Sequence, residues 1–234
     1  MVLPFFYIND YTGVQQITLK EETSRHVVQV LRMKEGERLN LTDGKGHLLT
    51  CEIVETDKKH CMVKVTGSQL TAHSSRHVSI AISLLKNSSR FEWFLEKATE
   101  IGVREIIPLI CDRTEKEKFR HDRMNAICIS AMLQSQQCWL PVLHEPVLFS
   151  KSIQEISAEG KFIAHCEDSD NKTNLSNLKP LNHSTILIGP EGDFTQKEID
   201  LALQNGFQPV SLGETRLRTE TAGVVAAALI MNAL

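Results

Sequence analysis

Residues 185–198 read Thr185-Ile186-Leu187-Ile188-Gly189-Pro190-Glu191-Gly192-Asp193-Phe194-Thr195-Gln196-Lys197-Glu198. An apolar run enters a turn with two glycines, and Thr195 with Glu198 makes a capping box that opens a helix ending at Asn205-Gly206. A strand without polar alternation is buried on both faces, which places it inside a parallel sheet. The turn then lies at the carboxyl end of that strand, where ligands bind in α/β sheets. Its glycines permit close backbone approach and Pro190 stiffens it, as a tight strand-to-helix connection or a ligand loop requires. No Gly-Lys-Ser/Thr follows, and the spacing is not GxGxxG, so neither common nucleotide loop is present.

The same rhythm runs outward on both sides. Upstream, residues 78–85 form a continuous apolar strand, and Phe91, Phe94, Leu95, Ala98 and Ile101 make one face of a helix closed by Gly102. This apolar helix places Trp93 in the core. Strands follow at residues 106–110 and 162–165, with helices around 122–136 and 151–156 between them. Downstream, residues 209–212 are a strand and residues 220–234 a helix with Ala222, Val225, Ala226, Leu229 and Ile230 on one stripe. Ala227, Ala228, Met231 and Leu234 add apolar surface beyond that stripe, which predicts a homodimer interface. Strands separated by helices imply a parallel sheet covered on both faces.

Between the last strand and the last helix stands Leu212-Gly213-Glu214-Thr215-Arg216-Leu217-Arg218-Thr219-Glu220-Thr221-Ala222, a dense polar cluster where a sheet active site lies. Thr219 or Thr221 can cap the helix and Glu220 can complement its dipole. Capping leaves Arg216 and Arg218 unexplained, and contact with an anion or a nucleic acid accounts for them.

The first 70 residues differ in character. Leu39 and Leu41, then Leu49, Cys51 and Ile53, alternate with polar residues on either side of Asp43-Gly44-Lys45-Gly46, which predicts a hairpin. A third strand stretch covers residues 61–65, and Val27, Val30 and Leu31 place a helix over residues 21–33. Residues 71–76 lack periodicity and read as a linker. A small β-rich module over residues 1–72 thus precedes an α/β domain over residues 73–234.

A chain of 234 residues with 41% hydrophobic and 24% charged residues is globular in composition, which excludes disordered and fibrous classes. The net charge of -3 excludes a wholly basic surface but leaves room for a local basic groove. The apolar start is broken by Pro4 and Asp10 without a basic leader, and the longest apolar run, residues 222–231, falls short of the roughly 20 residues of a membrane span. The expectation is a cytoplasmic protein without membrane contact, its six cysteines reduced thiols. No cysteine pair has CxxC spacing and no HExxH motif is present, so no metal is expected.

Taken together, Gly189-Pro190-Glu191-Gly192, Leu217-Arg218-Thr219-Glu220-Thr221-Ala222, Lys97-Ala98-Thr99-Glu100-Ile101-Gly102 and Val30-Leu31-Arg32, followed by Gly36 and Asp43-Gly44, resemble the RsmE family of the SPOUT class of RNA methyltransferases. The resemblance spans nearly the whole chain. It implies a PUA-like β-barrel that contacts RNA, followed by an α/β domain whose chain threads into a trefoil knot, forms an S-adenosylmethionine site and supports a homodimer. It implies methylation of N3 of a uridine in 16S ribosomal RNA, within the small ribosomal subunit or its precursor. Carried onto this chain, the cofactor site comprises His165, Cys166 and Glu167; Ile188, Gly189, Glu191 and Gly192; and Leu212, Gly213, Leu217, Arg218, Thr221 and Ala222.

Two readings compete with this one: a non-catalytic RNA-binding ribosome assembly factor, and a related methyltransferase acting on another rRNA or tRNA position. Loss of the loop glycines would favour the first, and they are present. The reaction requires N3 to lose a proton; Arg218 and Arg216 suit stabilisation of a developing uracil anion, and Glu220 suits orienting Arg218 or acting as base. Arg25, Arg32, Arg76, Lys86 and Arg90 are candidates for phosphate contact, and Trp139 for base stacking. The chain departs from the family pattern at Gly192-Asp193, where Gly-Gly is usual, and at Leu133-Gln134-Ser135-Gln136-Gln137, where Glu-Gln-Ser-x-Arg is usual. It also has Thr215 where one family form has its first loop arginine, and Arg216 stands in for it.

Overall fold

The computed structural model describes residues 3–167, 172–179 and 181–233. The chain divides into two compact units, Met1–His73 with Met132–Leu140, and Ser74–Ala131 with Pro141–Leu234.

In the first unit β1 (Phe5–Tyr7), β2 (Gln16–Thr18), β3 (Arg38–Thr42), β4 (His47–Glu55) and β5 (Met62–Leu70) form one sheet in the order β1-β3-β4-β5-β2. The predicted hairpin is β3 and β4, with Leu39 opposite Cys51 and Leu41 opposite Leu49. Their alternate residues are buried on one face with Leu19, Val27 and Val63, and Phe6 and Ile17 from the edge strands pack on the same core. Both edges therefore share one interior, as in a small barrel, although no ladder joins β1 to β2 among the described residues. The expected helix over residues 21–33 is a short α1 (Glu21–Arg25) that widens into a π-helical turn, His26–Val30. Leu31 N donates to His26 O at 2.9 Å. The wider turn moves the apolar positions off one stripe, so Val27 is buried while Val30 is 66% exposed.

Residues 132–140 join this unit through Trp139, which bridges to Lys45 and donates from Nε1 to Thr71 O at 3.1 Å. Its indole also lies 4.4 Å, centroid to centroid, from the His73 ring. Trp139 is thus packed within the unit rather than presented for stacking on a base.

The second unit is built on a wholly parallel sheet. Its strands are β6 (His77–Ser83), β7 (Glu105–Ile110), β8 (Val142–Leu143), β9 (Val147–Leu148), β10 (Gly160–Ala164), β11 (Thr173–Asn174), β12 (His183–Ile188) and β13 (Gln208–Ser211), in the order β11-β13-β10-β12-β6-β7-β8 with β9 also paired to β7. The connecting helices are α2 (Ser88–Ile101), α3 (His121–Gln134), α4 (Phe149–Glu155), α5 (Gln196–Gln204) and α6 (Thr219–Met231). Phe149 and Ile153 of α4 and Ile199 and Ala202 of α5 pack with Ala81, Leu109, Ile163 and Leu187 of the sheet. α6 packs on β6, β12 and α2.

Three sequence expectations change here. Trp93 is 42% exposed because it lies two positions from Phe91, off the stripe made by Phe91, Phe94, Leu95 and Ala98. Ala227 is buried within its own unit rather than on a free face. The small residues of α6 serve close approach: a Cβ on Gly223 would stand 2.6 Å from the Phe94 ring. Val225, Ala228 and Met231 stay half-buried, and Leu234 lies outside the described residues. Arg76, expected on an RNA surface, is drawn inward instead. Its Nη1 donates to Ile230 O and Met231 O at 3.2 and 2.7 Å and its Nη2 to Ala233 O, so the guanidinium holds the carboxyl end of α6. Among the described residues no helix is long and apolar enough to cross a membrane, and no group of three His, Cys, Asp or Glu side chains is arranged to hold a metal ion.

Candidate active site

Adjacent strands β13, β10 and β12 release their chains at one edge of the parallel sheet, so three loops converge there. A cavity of about 400 Å³ is lined by Ile188, Gly189, Pro190, Glu191 and Asp193 with Arg90, Arg218 and Thr219. A second, of about 500 Å³, is lined by His165, Lys172, Ser211, Leu212 and Gly213. Ala164, Cys166, Arg216, Leu217 and Ala222 border both.

The loop after β12 is held by its own sequence. Asp193 N donates to Pro190 O at 2.9 Å, closing a turn. Gly189 approaches Phe194 so closely that a Cβ would meet its N at 3.1 Å, which is the close approach the glycine permits. Thr195 caps α5 as predicted, and buried Glu198 accepts from Thr195 N at 2.8 Å and from Asp112 N at 3.0 Å. Arg113 Nη1 donates to Gly192 O at 2.6 Å. In the loop after β10, Lys172 Nζ donates to His165 O at 2.8 Å and to Glu167 O.

In the third loop the helix cap is Arg218, and no side chain caps α6, so neither Thr219 nor Thr221 does so. The first-turn N–H groups of α6 and the Arg218 side chain, which has no hydrogen bond or ion pair among the described residues, give this rim a positive character. Glu220 is buried; its Oε1 lies 3.6 Å from Arg90 Nε, and its Oε2 has no partner. Arg90 Nη1 also donates to Glu191 Oε1 at 2.9 Å, so one guanidinium links α2, the glycine loop and α6. His165 Nδ1 is buried without a partner, and burial, reinforced by Lys172, pushes its imidazole pKa down. Burial and then Asp193 push the Cys166 thiol up, so it is held as a neutral thiol.

Most of the predicted cofactor residues converge: His165, Cys166, Ile188, Gly189, Glu191, Leu212, Gly213, Leu217, Arg218 and Ala222 border the two cavities. Glu167, Gly192 and Thr221 do not. Glu167 and Gly192 take part through backbone carbonyls held by Lys172 and Arg113. Of the predicted catalytic set, Arg216 and Arg218 line the cavity and Glu220 reaches it through Arg90. Arg90, predicted for RNA phosphate, stands in the cavity wall. Lys86 is exposed and paired with Glu115 at 2.6 Å, Arg25 is paired with Glu21 at 2.7 Å, and Arg32 is exposed. Lys172 and Asp193 were missed as site residues. Lys172 sits in a polar stretch without periodicity and gave no signal, whereas Asp193 beside Gly192 was visible as an odd residue in a glycine turn.

The RNA methyltransferase domain family matches residues 72–231 and the RNA methyltransferase PUA domain residues 19–66. Ribosomal RNA small subunit methyltransferase E of Synechocystis sp. is 31% identical over 224 residues, covering 93% of this chain and 73% of that protein. The chain belongs to the ribosomal RNA small subunit methyltransferase E family. A probable rRNA-methyltransferase from Porphyromonas gingivalis has a structure similar to this one at TM-score 0.90 and 39% identity, covering 96% of this chain and 95% of that one. A methyltransferase E from Neisseria gonorrhoeae, solved bound to S-adenosyl methionine, is similar at TM-score 0.86 and 29% identity, covering 97% and 95%.

As a methyltransferase E family member the chain carries a PUA-type module before a mixed α/β domain of SPOUT type. Its departure at Asp193 has a visible consequence. The residue adopts φ 64, a left-handed conformation that aspartate tolerates better than most side chains. Its Oδ2 accepts from Cys166 N at 2.7 Å and its Oδ1 from Phe194 N at 2.8 Å. Charge-assisted bonds of this kind contribute about 1.5 to 3 kcal/mol each, which outweighs a left-handed backbone cost of roughly 1 to 2 kcal/mol. At the other departure, where Leu133 and Gln137 stand for the usual Glu and Arg, Gln136 has φ 58 and Gln137 Nε2 donates to Ser135 Oγ at 3.0 Å.

Proposed function

We propose that this chain transfers a methyl group from S-adenosylmethionine to N3 of a uridine in 16S ribosomal RNA. The observation that carries the reading is the double cavity at the carboxyl ends of β10, β12 and β13, in a chain whose Neisseria relative was solved with S-adenosyl methionine. The residues present fit that cofactor. Ile188, Leu217 and Ala222 provide an apolar wall for a nucleoside, Gly189 leaves the backbone close, and Glu191 suits a cationic sulfonium.

When bound, S-adenosylmethionine supplies an already activated methyl group. The protein must then hold N3 in line and ease the loss of its proton. Arg218 is free to stabilise the developing uracil anion, with Arg216 beside it on the same cavity. Buried Glu220, with one unpartnered oxygen, orients Arg90 or receives the proton. Arg25 and Arg32 on the first unit, and Lys86 on the second, are proposed phosphate contacts. The same reading includes cytoplasmic action on the small ribosomal subunit or its precursor. It also includes a PUA-like module over residues 1–72 and a methyltransferase domain over residues 73–234. The methyltransferase domain is knotted, with half-buried Val225, Ala228 and Met231 at a homodimer face.

The test is nucleoside mass spectrometry of 16S rRNA from a deletion strain, before and after incubation with purified protein and S-adenosylmethionine. N3-methyluridine at one position should be missing and then restored. Restoration of a different nucleoside would reassign the target, and no methylation of any rRNA or tRNA would favour a non-catalytic assembly factor.

A further inference from the structure

Asp193 combines three features: a left-handed backbone, a place in the cavity wall, and a carboxylate whose two oxygens serve two different loops. Glycine meets a left-handed conformation at no steric cost, so the turn itself gives no reason for an aspartate. The side-chain bonds do. Oδ1 accepts from Phe194 N at 2.8 Å, fixing the exit of the loop after β12, and Oδ2 accepts from Cys166 N at 2.7 Å in the loop after β10. Cys166 lies beyond the end of β10. On its other side the same loop is gripped by Lys172 through the carbonyls of His165 and Glu167.

We infer that Asp193 is a positioning residue, whose carboxylate staples the loop after β10 to the loop after β12 and so sets the cofactor cavity before the cofactor arrives. The inference rests on the methyl-donor reading above. A cavity wall fixed in advance leaves less ordering to be done at binding, which raises affinity for any ligand that needs both loops. A strained backbone persists at such a position because the surrounding bonds over-determine it. The staple acts on loop geometry rather than on ligand charge, so it serves S-adenosylmethionine and S-adenosylhomocysteine alike.

The test uses the full chain and Asp193→Gly, which relieves the backbone and removes only the staple. Amide hydrogen exchange at Cys166 reads the staple directly, and calorimetry with S-adenosylmethionine and with S-adenosylhomocysteine reads its effect on the cavity. Exchange at Cys166 should quicken at least about tenfold and both affinities should fall by about tenfold, equivalent to about 1.4 kcal/mol, with the melting transition retained. Unchanged exchange at Cys166, or unchanged affinities, would overturn the inference. A loss confined to S-adenosylmethionine would also overturn it, because the carboxylate would then be reading the sulfonium charge. If the parent chain binds neither compound, the methyl-donor reading fails, while the exchange result still decides whether the staple exists.

Discussion

Glu220 on the first turn of α6 holds Oε1 3.6 Å from Nε of Arg90 on α2, while its Oε2 is buried without a partner. A buried carboxylate half-served by one guanidinium depends heavily on that partner. Arg90→Ala should therefore destabilise the chain by about 1 to 2 kcal/mol, less than a fully buried pair would cost because the Arg90 side chain is 37% exposed. Glu220→Gln removes the buried charge and should cost less. In the double variant the loss should be smaller than the sum of the two. Urea unfolding of the four proteins gives the cycle, and strict additivity would mean that the two side chains do not interact.

Arg76 makes a different claim on stability. Its guanidinium takes three carbonyls at the end of α6, which complements the helix dipole and satisfies groups the helix leaves open. Arg76→Ala should lower stability by about 1 to 2 kcal/mol while leaving the affinity for 16S rRNA within error. A thermal melt and a filter-binding titration measure both. Weakened RNA binding with an unchanged melt would return Arg76 to the RNA surface.

How far these sites were readable in the sequence depends on the range of the interaction. The capping box at Thr195 and Glu198, the hairpin of β3 and β4 and the glycine loop after β12 are set by neighbours a few residues away, and local pattern finds them. Arg76 reads as a phosphate contact in the sequence because its partners lie 154 to 157 residues downstream. Val30 and Leu31 fitted a helical period that the π-helical turn then shifted. Ala227 fits a spare apolar stripe in the sequence but is buried within its own unit, and the close approach of Gly223 to Phe94 on another helix has no local signature. Asp193 was seen as a departure, but a side chain joining two loops 27 residues apart has no local signature.

His165 gives the site an acid-sensitive element. Burial, with Lys172 adding to it, holds the folded imidazole below its ordinary value, so the unfolded chain binds the proton first as pH falls. The stability tied to His165 is therefore complete above about pH 6.5 and is lost as pH drops from there through the lower folded value. His77, also depressed chiefly by burial, acts with the same sign. In His165→Gln the decline of the urea midpoint between about pH 7.5 and about pH 5.5 should be shallower than in the parent, though not abolished. Equal slopes in the two proteins would remove His165 as the cause.

The chemical step puts the greatest demand on Arg218. Uridine N3 is a weak acid near neutral pH, and the charge that develops on the uracil as its proton leaves must be met by a donor already in place. Arg218 is exposed on the cavity rim at the uncapped start of α6, without a protein partner among the described residues to be broken first. Nearby Arg90 is already engaged by Glu191 and Glu220. Arg218→Ala should therefore lower the single-turnover methylation rate by about 100-fold or more, the range seen when a preorganised donor is removed, while RNA affinity changes only a few-fold. The parent rate should climb with pH as the N3 anion becomes easier to form, and the Arg218→Ala rate should climb more steeply, since a base already ionised has less need of the guanidinium. If rate and RNA affinity fall in equal proportion, Arg218 serves to dock the RNA, and the charge stabilisation must come from Arg216 or from the first-turn N–H groups of α6.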